Sequence, residues 1–174
     1  MRDSTNPSAQ EQAVRRLMNY ELDSEIIDGL ISLLGQDTPS DSGHRVNKRA
    51  TVALAHAGEF VRTTLQAVVL GKTASSPNDW QRYWACKVME IHRDKAWLPL
   101  LIELIRSEPS GTVTEGAIDA AMCIVNAEAT QEEKSLLMDS LLSARKRHGS
   151  KQDWTSGLIT RSMKRLAGAA GSGL

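Results

Sequence analysis

Asp94-Lys-Ala-Trp-Leu-Pro-Leu-Leu-Ile-Glu-Leu-Ile-Arg106 decides how the chain is read. Its apolar run, Trp97 to Ile105, is too short to span a bilayer and is interrupted by Glu103. The run predicts a helix over about 96–107 that buries a Leu/Ile face. Pro99 is compatible with a helix starting near Leu98, because the first turn has no intrahelical partner for the N–H that proline lacks.

Helical periodicity extends outward from this stretch in both directions, and polar punctuation cuts it into about nine segments. They fall at about 8–18, 24–34, 44–57, 59–70, 79–92, 96–107, 114–126, 131–146 and 153–167. Ser8 with Glu11, and Thr130 with Glu133, have the spacing of a capping box. Asp79 is the expected cap of the fifth segment. Gly35 fits the left-handed position after a helix, and Gly58, Gly71 and Gly149 are further breaks. Longer polar loops are expected at Gln36–Gly43, at Thr73–Asn78 and at Pro109-Ser-Gly111. Short and long gaps alternate, which predicts antiparallel helical hairpins.

The composition agrees. A hydrophobic fraction of 41% supports a real core, whereas 4% aromatics, with Phe60 the sole phenylalanine, argues against a sandwich or barrel. Ala, Leu, Glu, Arg and Lys, all helix formers, dominate. The 174 residues suit one domain, expected over 1–167 with a flexible Gly/Ala/Ser tail at 168–174. Cys86 and Cys123 lie in apolar helical contexts without a CxxC pair or a His cluster, and read as buried thiols of a reducing compartment. No apolar stretch follows the first residues, so no secretory signal is expected, and the chain reads as cytoplasmic.

A repeat runs through the middle of the chain. Ala50, Ala53 and Leu54 align with Ala85, Val88 and Met89, and these with Ala117, Ala120 and Ala121, at offsets of 35 and 32 residues. Small residues on one face let two helices approach closely. Arg49-Ala-Thr-Val-Ala-Leu54 resembles the first-helix pattern of the HEAT-repeat family in its short bacterial form. Asp94–Arg106 resembles the family's turn and second helix, in which Asp precedes a small residue, a Pro and a Leu/Ile run. The likeness covers about residues 44–146, and the arginine at position 49 is replaced by Trp84 and Gly116 at the equivalent places. It implies an all-α superhelix, a HEAT-like solenoid of about four antiparallel helix pairs plus a C-terminal helix, that serves as a protein-interaction scaffold.

No catalytic constellation emerges. His92-Arg-Asp94 spells the start of a kinase catalytic loop, but the asparagine this would need at position 99 is Pro99, and no glycine-rich loop precedes it. His44, His56, His92 and His148 lack the adjacent glutamate of metal-binding HEAT hydroxylases. No HExxH, GxSxG or P-loop string occurs. HEAT-like DNA glycosylases offer an analogy of architecture alone. No enzyme activity, cofactor, metal ion or membrane partner is therefore expected.

Two surfaces are candidates for binding. Trp80, Arg82, Tyr83 and Trp84 put three aromatics within five residues of an aromatic-poor chain, beside an arginine, and these residue types are enriched at interface hot spots. The alternative is that Trp80 and Trp84 fill space between helix pairs. The second candidate follows from charge: residues 1–43 carry a net of −5 and residues 144–174 a net of +6. Arg145, Lys146, Arg147, Lys151, Arg161, Lys164 and Arg165 could meet nucleic acid or an acidic partner. They could equally be a solvated helix end, where exposed carbonyls favour cations.

Overall fold

The computed structural model describes residues 23–35, 41–73, 76–149 and 154–171. The expected first segment with Ser8 and Glu11, and the cation Lys151, lie outside them. Among the described residues there are eight α-helices and no strand, so the all-α class stands. None of these helices is long and apolar enough to cross a membrane. The chain divides into two compact units, Met1–His92 and Arg93–Leu174.

The first unit holds α1 (Ser24–Leu33), α2 (Asp41–His56), a 3-10 turn at Gly58–Val61, α3 (Arg62–Val69) and α4 (Asp79–His92). α2 packs against both α1 and α4, and α3 packs against α4. Asp23 caps α1 by accepting from the Ile26 N–H at 2.8 Å. Ile27, Leu30, Ile31 and Leu34 are buried from α1 and the turn after it, and Val61, Leu65, Val68 and Val69 are buried at α3. Each such side chain contributes about 1.5–3 kcal/mol of hydrophobic free energy.

The last helix runs to Gly171, past the expected end at 167 and into the stretch expected as a tail, and three other boundaries differ from expectation for a local reason. The cap of α4 is Asn78, whose Oδ1 accepts from the Gln81 N–H at 2.8 Å, so Asp79 is the first helical residue. α2 reaches back to Asp41, since an Asp-Ser pair suits a first helical turn as well as a loop. The Pro109-Ser-Gly111 loop is shorter than expected, because Ser110 already caps the next helix through the Val113 N–H.

The second unit opens on a 3-10 turn at Lys95–Trp97, capped by the Asp94 carboxylate, which accepts from the Ala96 N–H. Asp94 is thus a turn residue. α5 (Leu98–Ser107), α6 (Gly111–Glu128), α7 (Gln131–His148) and α8 (Trp154–Gly171) follow. Pro99 stands in the first turn of α5, and Leu98, Leu101, Ile102, Leu104 and Ile105 are all buried. α5 packs against α6 and α7, and α8 packs against α6 and α7. Thr155 ties the start of α8 to α6 by donating from Oγ1 to the Glu115 carboxylate at 2.6 Å. The Thr130–Glu133 capping box forms in both directions: the Glu133 N–H donates to Thr130 Oγ1, and the Thr130 N–H donates to the Glu133 carboxylate. This backbone hydrogen bond, with the Lys95 ammonium at 3.0 Å, holds the Glu133 carboxyl below its ordinary pKa. Its stabilising contribution is therefore present at neutral pH and is lost as the pH falls through the lowered value.

The nine residues aligned by the internal repeat are all buried. In both units a helix packs on its sequence neighbour, on the helix after that, or on both.

Candidate functional site

The aromatic candidate lies on α4, and the fold separates its members. Trp84 is only 7% exposed and belongs to the core of α4 with Ala85, Val88 and Met89. Arg82 is used locally: its Nε–H donates to the Val69 carbonyl at 2.9 Å, closing the end of α3, and Asp79 lies 3.8 Å from its guanidinium. Trp80 is 54% exposed. The Tyr83 ring stands edge-on to it with centroids 5.5 Å apart, and edge-on to Trp84 at 5.6 Å on the other side. Lys87 lies over Tyr83. Ile91, 43% exposed, continues this face, since positions 80, 83, 87 and 91 recur at helical spacing. Trp80 and Ile91 are the exposed apolar side chains of this face, and Tyr83 and Lys87 lie half-buried between them, with Lys87 also paired to Glu90.

The basic candidate lies on α7 and α8, and it also divides. Arg147 reaches the end of α5 and donates to three main-chain carbonyls: Ile105 at 2.7 Å, Glu108 at 3.1 Å, and Arg106. These are acceptors that the last turn of a helix leaves without an intrahelical partner. Burial pulls the pKa of Arg147 down from the ordinary arginine value, and the Glu108 carboxylate opposes this. The Thr114 hydroxyl and the Ser110 N–H also donate to Glu108, so the turn between α5 and α6 is bonded from both sides. Arg147 is a structural clamp. Arg147→Ala is expected to lower stability by about 2–3 kcal/mol, because charged hydrogen bonds to part-buried carbonyls are lost. Arg147→Lys recovers only part of this, since an ammonium cannot span three acceptors as a planar fork does. Urea unfolding of these variants beside Arg145→Ala, which is expected to change stability by under about 0.5 kcal/mol, checks the assignment.

Arg145, Lys146, Lys164 and Arg165 are exposed and make no ion pair with any described residue. Arg161 stacks over the Trp154 ring at 4.9 Å, and Trp154 is 68% exposed, a pairing on the surface of α8. Compared with protein-family models, curated proteins and solved structures, the chain matches none of them.

Sequence reading misses one feature of this region. Met138 on α7 and Met163 and Ala167 on α8 line a groove along the seam of the two helices, with Arg145 and Lys164 on its banks. It continues past Met138 and Ala167 to Lys134 and Leu166. The only signal in the sequence is two methionines at positions that a single-helix pattern leaves ambiguous. Among the described residues no three His, Cys, Asp or Glu side chains are grouped to hold a metal ion. Cys86 is buried and Cys123 half-buried.

Proposed function

We propose that this chain is a non-enzymatic, cytoplasmic helical-repeat module of the HEAT type that binds another protein, with the Trp80 face of α4 as its contact surface. One observation carries the reading: Trp80 stays more than half exposed while its neighbour Trp84, four residues on, is buried. An indole left in water forgoes hydrophobic free energy that a partner's pocket would recover, and Trp80 is braced edge-on by Tyr83 before any partner arrives. Ile91 extends the same face with a second apolar side chain. Burial of all nine repeat-frame residues supports the hairpin architecture in which such faces serve recognition.

The test separates binding from folding. Trp80→Ala is expected to shift the thermal midpoint by no more than a few degrees. It is also expected to cut recovery of the captured partner from host lysate by about ten-fold or more, as loss of a hot-spot tryptophan does. Unchanged recovery with intact stability would overturn the reading.

The exposed cations of α7 and α8 favour a second reading, contact with nucleic acid through phosphates. It is the weaker one, because Arg147 is committed to α5 and Arg161 lies on Trp154.

A further inference from the structure

The α7–α8 groove has a floor and two banks of opposite character. Its floor is apolar, made by Met138, Met163, Leu166 and Ala167, with the two methionines half-buried. Its banks carry Lys134 and Arg145 from α7 and Lys164 from α8, and no carboxylate lines it among the described residues. Glu133, the acidic neighbour of Lys134, is engaged elsewhere with Thr130 and Lys95. From Gln131 to Arg145 the groove follows α7 for about 20 Å, or four helical turns. We propose that this groove is a docking site for an acidic amphipathic helix of a partner protein, whose apolar ridge lies on the methionines and whose flanking carboxylates meet Lys134, Arg145 and Lys164.

Three properties select that occupant. Two helices packed side by side leave a furrow that matches the ridge of a third helix. Methionine is unbranched and adapts to differing apolar ridges without a preformed pocket. Lys134, Arg145 and Lys164 make no ion pair with any described residue, so an incoming carboxylate displaces none there. A phosphate backbone would engage the cations but leave the apolar floor uncovered, and that distinguishes a helix from nucleic acid. The groove belongs wholly to the second unit and shares no residue with the Trp80 face.

Fluorescence anisotropy on the full chain tests this. The probe is a labelled amphipathic peptide of about 16 residues with leucines on one face and glutamates flanking them. The controls are the same peptide with lysines in place of the glutamates, and a single-stranded oligonucleotide. The acidic peptide is expected to bind in the micromolar range, and the lysine peptide about ten-fold or more weakly, because like charges would face each other. The double variant R145E/K164E changes only exposed side chains, and is expected to weaken the acidic peptide about ten-fold. M138Q/M163Q, checked for folding by circular dichroism, is expected to weaken it comparably, and Trp80→Ala to leave it unchanged. Equal binding of the two peptides, binding that survives M138Q/M163Q, no binding of the acidic peptide, or displacement of the peptide by the oligonucleotide would each overturn the proposal. Since Trp80→Ala is silent here, failure of this groove and failure of the α4 surface are told apart.

Discussion

Trp84→Ala is expected to destabilise the protein by about 3–5 kcal/mol, the range for deleting a buried aromatic side chain. Trp80→Ala, four residues earlier on the same helix, is expected to cost less than about 1 kcal/mol. The two side chains differ in burial, 7% against 54% exposed. Trp84 is followed directly by Ala85, which is fully buried, and it meets the Tyr83 ring edge-on. Truncating it removes a large apolar area and leaves a cavity beside small residues that cannot expand to fill it. Against a total stability of about 5–15 kcal/mol, such a loss is visible as a large shift of the urea midpoint. Trp80 loses little when truncated, because much of its surface is already in water. Equal destabilisation by both substitutions would mean that the exposed face of α4 is not a surface at all.

Gly35→Ala is the second large effect, expected to exceed about 3 kcal/mol. Gly35 has φ +69°, where a side chain costs about 1–2 kcal/mol by itself. It also touches main chain: a Cβ there would lie 2.3 Å from the Gln81 nitrogen and 2.6 Å from its Cα. Those atoms belong to α4 and cannot move aside by changing rotamer. Two further bonds draw the elements together here, the Gly35 N–H donating to Asn47 Oδ1 at 2.7 Å and Gln81 Nε2 donating to the Ile31 carbonyl at 3.0 Å. Gly71 supplies the control. Its φ is +68° with nothing near the site of a Cβ, so Gly71→Ala is expected to cost only the conformational part, about 1–2 kcal/mol. Urea unfolding of both variants measures the difference. Because Gly35 supports the first turn of α4, its alanine variant is also expected to disturb Trp80.

The repeat frame was legible because burial in a helix is periodic. Ala50, Ala85 and Ala117 mark the same position on alternate helices, α2, α4 and α6, and each is buried. The Thr130–Glu133 box was legible because capping is a local matter of spacing and side-chain chemistry. Asn78 and Asp79 are both competent caps for α4, and only the backbone path selects Asn78. The split between Trp80 and Trp84 was beyond the pattern: positions four apart lie about 40° apart around a helix, and the edge of the core runs between them. Arg147 looked like one more cation at a helix end. Its role depends on acceptors 39–42 residues away in sequence. The groove likewise needs methionines from two helices.

Site-specific photo-crosslinking in host cells tests whether the Trp80 face of α4 binds another protein. A photoreactive phenylalanine analogue is placed at position 80, and separately at Lys146 on the second unit. A discrete protein adduct is expected from position 80 and none of the same mass from position 146. No adduct from position 80 in a folded, expressed protein, or the same adducts from both positions, would contradict it.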